Sequence, residues 1–382
     1  MYPHNHGTRN NSIPGGCNGD AWKLHETNTF ATKLKEDGYK TFYAGKYLNQ
    51  YGVNAAGGPE VVPPGWTEWH GLVGNSVYYD YVLSNNGVPT HSDTLYLTDV
   101  ISDLAVSFIE TQTRNEPFLL VVSPPAPHAP FTPAPRHIGN YANVMAKRTP
   151  NFNIDTEDKH WLLRMPPIPL PTSMLTELDR AYRSRWEALL AVDEMVSAVF
   201  NALTNRELLN NTYVFYTSDN GYHIGQFSQV YDKRQPYETD IKIPLIVSGP
   251  GIEHNTTSSD PVMNIDLAPT ILSLAGVQIP DSMDGKPIEL FNKKDQVAKE
   301  RFMLIEYYGE RSPKTVDENC PWKYDKNLSH FEEMYDLNRD PYEMDNIIHE
   351  VFPALKHWYR LNVASMLECV GSQQCSDHLQ LL

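Results

Sequence analysis

Asp219 and Asn220 are the residues whose types and placement most directly suggest chemistry. They follow the run Tyr213-Val214-Phe215-Tyr216-Thr217, which reads as a buried strand, and Gly221 allows the chain to turn sharply. A carboxylate and an amide oxygen suit a hard cation such as Ca²⁺ or Mg²⁺. In open α/β sheets the carboxyl end of a strand is where ligands sit. Lys233 and Arg234 come next, able to neutralise an anion beside such a cation. His223 could face the same substrate, although no role follows from its position alone. Taken by itself, Asp219-Asn220-Gly221 also reads as an Asx or type I′ turn. That reading leaves unexplained the order strand, Asp-Asn-Gly, His, Lys-Arg, Tyr237-Glu238, then a second apolar strand at residues 243–247. Glu238 and Asp240 either orient Lys233 or Arg234 or form a solvated acidic pair.

These residues need a sheet to hold them. Residues 29–37 read as a short helix capped by Asn28 and ended by Gly38. Residues 39–44 alternate as a strand does, and Gly45-Lys46 follows. Residues 51–94 form a long decorated loop with one hairpin near 78–83. A helix starts at Thr98, with Val100, Ile101, Leu104, Ala105, Phe108 and Ile109 at core spacing. The apolar run 118–122 reads as a central strand, and the prolines after it stiffen the loop presenting His128. Residues 131–171 are proline-rich and irregular, as a lid or substrate wall would be. The longest helix starts at Ser173 and carries Leu175, Leu178, Tyr182, Trp186, Leu189, Val192, Val196 and Val199 on one face. Asp266 caps a helix over 267–275. The composition turns polar around 281–294, which divides the chain into a large domain, 1–290, and a C-terminal subdomain, 291–382. The latter is expected to hold a short sheet, with one strand at 302–306, and a terminal helix over 351–367. The fold class is α/β, with a central, mostly parallel sheet flanked by helices.

At 382 residues the chain exceeds one ordinary core. Its formal net charge of −16 argues against nucleic acid as a partner. No run of 18 apolar residues is present, so no membrane span is expected. The opening residues are polar and read as no signal peptide. Asn-x-Ser/Thr triplets nevertheless occur at Asn10, Asn210, Asn255 and Asn327. Of the four cysteines, Cys369 and Cys375 close a short loop, as disulfides of secreted proteins do. Whether Cys17 and Cys320 pair is open, and so is the oligomeric state. These features read as a secretory-pathway protein whose leader lies outside these residues.

The stretch from Tyr213 to Gly251 resembles the second metal-and-anion motif of the type I sulfatases, in the alkaline-phosphatase-like superfamily. Within them it is most similar to the N-acetylglucosamine-6-sulfatase branch, and the likeness runs from Tyr2-Pro3-His4-Asn5-His6 to Cys375. Met334-Tyr335-Asp336-Leu337-Asn338-Arg339-Asp340-Pro341-Tyr342-Glu343 resembles the hairpin near the end of most sulfatases. The resemblance implies hydrolysis of the 6-O-sulfate from N-acetylglucosamine of heparan or keratan sulfate, in the lysosome. It implies one Ca²⁺, with Asp219 and Asn220 as two of its four protein ligands. It makes Lys46 and Lys233 the sulfate-binding lysines and His128 the group aimed at the ester oxygen. Many sulfatases place a histidine where this chain has Leu48, and the glucosamine-6-sulfatase branch shares the departure, leaving that proton acceptor unassigned.

Sulfatases attack sulfur through formylglycine, made from the cysteine of a Cys-x-Pro-Ser-Arg motif. None of the four cysteines here lies in such a motif. The expectation is that the nucleophile and the other two Ca²⁺ ligands lie upstream of residue 1, and that these 382 residues alone are inactive. The alternative is a short, non-catalytic form that binds sulfated glycan.

Overall fold

The computed structural model describes residues 1–16, 18–291, 301–308 and 331–376. Cys17, Cys320 and Asn327 therefore lie outside the described residues. Strands β1 (Lys40–Gly45), β2 (Glu68–Leu72), β3 (Tyr81–Asn85), β4 (Val88–Ser92) and β5 (Phe118–Ser123) form one sheet in the order β4-β3-β2-β1-β5. β1 pairs in parallel with β2 and β5, whereas β2–β3 and β3–β4 are antiparallel. A second sheet pairs β6 (Val214–Tyr216) with β7 (Ile246–Ser248), antiparallel. The helices are α1 (Pro3–His6), α2 (Asp20–Lys23), α3 (Phe30–Glu36), α4 (Leu97–Thr111), α5 (Thr172–Asn205), α6 (Glu238–Ile241), α7 (Leu267–Leu274), α8 (Pro353–Met366) and α9 (Gly371–Gln374).

The main core lies between this sheet and the α4–α5 pair. Phe42 and Ala44 of β1 meet Ile101, Ala105 and Phe108 of α4, and Val192, Met195 and Val199 of α5. α4 buries the face its spacing predicts. α5 does so in part: Leu178, Val192 and Val199 are buried and Leu175, Tyr182 and Leu189 pack against the core, but Trp186 is 41% exposed and the buried line also takes in Ala181, Ala188, Ala191 and Ala202. Small side chains let α5 lie close to its neighbours, so large apolar residues alone mark its inner face poorly. Glu187 is buried on that line because its carboxylate accepts the main-chain N–H groups of Gly139 and Tyr141.

Several elements differ from expectation for identifiable reasons. Asn86-Gly87, both with positive φ, turns the β3–β4 hairpin and moves it later in the chain than 78–83. The α3 cap is Thr29, which shares a reciprocal capping box with Thr32, not Asn28. β5 ends the described sheet instead of sitting at its centre: it pairs with β1 alone, and β2 holds the middle position. β7 begins after Pro244, whose ring carries no N–H for a ladder. Residues 302–306 bury Leu304 against Tyr2 and Met366 but have no ladder partner among the described residues, so they are not a strand. The 334–343 run is a series of turns.

That run and its neighbours pack against Asn151, Lys159, Tyr237 and Glu238. Glu333 accepts hydrogen bonds from the Tyr237 and Tyr335 hydroxyls, and Lys159, fully buried, donates to the Met344 carbonyl. The Cys369–Cys375 disulfide is formed, and the His4 ring and Asn5 amide both contact the Cys369 carbonyl. Glu343, 5% exposed, accepts the Glu238 N–H. Burial, then the charges of Glu238, Glu333 and Asp340, push its carboxyl up to about 7 from an ordinary 4.5. The folded chain thus holds this proton more tightly than the unfolded one. The stability this provides is complete below pH 4.5 and is lost as pH rises through about 7. Glu343→Gln keeps an acceptor for Glu238 and should flatten that dependence. Urea unfolding should show the variant gaining on the wild type between acid and neutral pH by on the order of 3 kcal/mol.

Candidate active site

Lys46 is placed by a close approach of two strands. β1 and β5 run parallel with Gly45 opposite Ser123, so both chains leave the sheet at one edge. Gly45 has φ +118, and a Cβ there would lie 2.1 Å from the Ser123 carbonyl oxygen. Lys46 then donates its N–H to that same carbonyl at 2.9 Å, and its own carbonyl accepts the Tyr43 hydroxyl. Burial, then the Lys233 charge, lowers the Lys46 ammonium pKa, and Asp219 acts in the opposite direction.

His128 sits on the loop leaving β5. Its carbonyl accepts the Tyr78 hydroxyl at 2.7 Å, and the preceding Pro127 carbonyl accepts Arg185 at 3.0 Å. The Arg185 guanidinium also stacks 3.8 Å over the Tyr222 ring, joining this loop to the turn that carries Asp219. The His128 Nδ1 contacts the Ala129 carbonyl at 2.8 Å, which makes Nδ1 the donor and leaves Nε2 to face a ligand. Burial chiefly lowers the His128 pKa; Lys233 and Lys46 add to this, while the Ala129 carbonyl and Asp219 oppose it.

Asp219 and Asn220 follow β6 as expected. The Asn264 amide donates to the Ser218 and Asp219 carbonyls, and the Asp219 Oδ1 accepts the Asn220 N–H. The Asn220 amide nitrogen donates to the Gly221 carbonyl, so its oxygen is the atom left for a cation. Gly221 lies so near α6 that a Cβ would come within 2.2 Å of the Thr239 carbonyl oxygen. Arg234 is exposed and pairs with Asp232. Of the Lys-Arg pair, it is Lys233 whose charge reaches Lys46 and His128.

The structure therefore brings together Lys46, His128, Asp219 and Lys233 from four separate loops. Among the described residues, neither lysine has a carboxylate at ion-pair distance, and the Lys46 ammonium lies within electrostatic reach of Lys233 and Asp219. Such a place favours an anion that meets both lysines. Two oxygen donors also suit a hard cation, as part of the six to eight that Ca²⁺ takes.

Other expected residues lie elsewhere. His223 is 5% exposed and turned inward onto Asp240, so it faces an interior carboxylate. Glu238 pairs with Lys242 and thus does not orient Lys233 or Arg234. Leu48 packs with the aromatic cluster of Tyr43, Tyr51, Trp66 and Trp69. A separate exposed group, Asp80, His91 and Asp93, has donor atoms close enough together for a metal, on the hairpin at the far edge of the sheet. Arg185 was not singled out from sequence, because only the folded chain brings α5 to both loops.

Known proteins share the sequence and fold of this chain. The profile of the sulfatase family matches residues 1–277, and that of the N-sulphoglucosamine sulphohydrolase C-terminal region matches residues 225–357. The N-acetylglucosamine-6-sulfatase of Capra hircus is 40% identical over 418 residues, covering 97% of this chain and 74% of that protein. The N-acetylglucosamine-6-sulfatase of Homo sapiens is 46% identical over 328 residues, covering 84% of this chain and 59% of that protein. A solved protein in complex with its substrate D-glucosamine-2-N,6-O-disulfate superposes with TM-score 0.69 at 25% identity, covering 88% of this chain and 81% of that one. Sulfatases are generally metal-dependent. The fold, the edge at which the loops converge and the match over residues 1–277 agree: this chain belongs to the sulfatase family.

Proposed function

We propose that this chain is a sulfuric ester hydrolase of the N-acetylglucosamine-6-sulfatase type, acting on 6-O-sulfated N-acetylglucosamine of heparan or keratan sulfate. The observation that carries the reading is the meeting of Lys46, Lys233 and His128 beside Asp219, at the edge where β1 and β5 end. Lys46 and Lys233 hold the sulfuryl oxygens and offset their charge. His128, its Nδ1 committed to Ala129, presents Nε2 to the ester oxygen and, as the imidazolium, gives its Nε2 proton to that oxygen as the S–O bond breaks, so that it leaves as a hydroxyl. Asp219 and Asn220 hold Ca²⁺, which when bound polarises the sulfuryl group.

Residence in the lysosome fits the same picture. Asn210 and Asn255 are exposed, as glycosylated asparagines must be, and Asn10 is partly buried. No helix among the described residues is long and apolar enough to cross a membrane. Acid pH would protonate His128, and a bound sulfate would raise its lowered pKa towards that range.

A polypeptide of these 382 residues has no cysteine in Cys-x-Pro-Ser-Arg. It is expected to bind N-acetylglucosamine 6-sulfate in the presence of Ca²⁺, to ignore unsulfated N-acetylglucosamine, and to turn over no aryl sulfate. Calorimetry and a chromogenic assay test both halves. Equal heats from the two sugars would remove the binding reading. Turnover lost on Lys233→Ala would reveal a nucleophile not identified here.

A further inference from the structure

Main-chain hydrogen bonds join the turn carrying Asp219 and Asn220 to the segment carrying Lys233 around the buried His223 and Asp240. Gly221 donates its N–H to the Asp240 carbonyl at 2.8 Å, and Tyr222 donates to the Thr239 carbonyl at 2.6 Å. His223 pairs with Asp232 in both directions, through its N–H and its carbonyl. The Asp240 carboxylate then gathers the rest. Both its oxygens lie 2.9 Å from the His223 Nδ1, and it also accepts the Gln235 N–H at 2.8 Å. Lys233 is thus bracketed by Asp232, tied to the His223 main chain, and by Gln235, tied to Asp240.

His223 and Asp240 are 5% and 4% exposed, so water does not screen their contact. A carboxylate in such a place must be fully hydrogen-bonded, and the imidazole at 2.9 Å is a closer side-chain partner than the Thr239 hydroxyl, which donates to it at 3.3 Å. Removing the ring leaves a buried carboxylate short of a donor. The Lys233 loop must then shift to satisfy it, while the Asp219 turn loses its hold on that loop.

We propose that His223 and Asp240 are a positioning pair that fixes the Asp219–Asn220 turn at its distance from Lys233. This rests on the reading of those three residues as one site, and two independent readouts separate the claims. The first needs no ligand. In His223→Ala, amide hydrogen exchange should quicken about 10-fold or more in residues 219–223 and 231–236 together, with α4 and β1 unchanged. His223→Gln, which can still donate to Asp240, should restore most of the protection. The second readout is the affinity of folded protein for N-acetylglucosamine 6-sulfate with Ca²⁺. It should fall about 10-fold in His223→Ala and recover in His223→Gln. In the double variant with Lys233→Ala, the two losses should combine to less than their product.

A uniform rise in exchange across α4 and β1, or quickening of only one of the two segments, would overturn the pairing. So would unchanged affinity in a folded His223→Ala protein whose wild type binds the sugar. If the wild type does not bind the sugar, the sulfate-site reading fails, and the exchange pattern alone decides the pair.

Discussion

Gly45→Val is expected to leave little folded protein. At φ +118 any side chain strains the backbone, and the first added carbon would sit 2.1 Å from the Ser123 carbonyl oxygen. β1 and β5 would have to part at the end of a ladder pairing Lys40–Gly45 with Phe118–Ser123, next to the main core. The loss should be on the order of 4 kcal/mol or more, a large part of a domain's total stability. Gly45→Ala is the milder test: it should fold at reduced temperature and show a lowered urea midpoint. If its midpoint equals that of the wild type, the close approach does not constrain this edge.

The second large effect concerns the two lysines. Each is expected to make charge-assisted hydrogen bonds to one anion, worth about 1.5–3 kcal/mol apiece. Lys46→Ala and Lys233→Ala should each weaken binding of N-acetylglucosamine 6-sulfate by roughly 10- to 100-fold. The sign of their coupling is also fixed. Each ammonium repels the other, and Lys233 helps lower the Lys46 pKa, so Lys233→Ala should raise it. Chemical-shift titration of the Lys46 side chain would show the change. Single variants that bind as tightly as the wild type would mean that the lysines do not hold the anion.

The sequence showed the parts of this site that are local. An apolar run ended by Asp219-Asn220-Gly221 declares its turn and oxygen donors within a few residues, and Gly45-Lys46 after an alternating strand does the same. α4 was readable because its inner face is built from Ile101, Phe108 and Ile109. α5 was readable only in part: Leu178, Val192 and Val199 mark its inner face, but four alanines share that face and alanine marks neither side. β2 was missed because Glu68-Trp69-His70-Gly71-Leu72 has little strand character of its own. It forms by pairing with β1, and Gly71 leaves room for the Trp69 ring. His223 and Asp240 carry no local signal at all. Seventeen residues separate them, and only the folded loop brings them to 2.9 Å. The same holds for Arg185, which joins two loops from a helix distant from both in sequence.

One sulfate ester is expected to meet both lysines and the Nε2 of His128. The most direct test is the imidazole of His128, followed by ¹⁵N-histidine NMR as pH is lowered with Ca²⁺ present. In the free protein it should titrate below the ordinary histidine value of 6.5, because burial and the two lysines disfavour its charge. Saturating N-acetylglucosamine 6-sulfate should raise that pKa by about one unit, since the bound anion offsets both lysines, and N-acetylglucosamine should leave it unmoved. A His128 pKa that is the same with and without the sulfated sugar, under conditions where binding is saturated, would contradict the account.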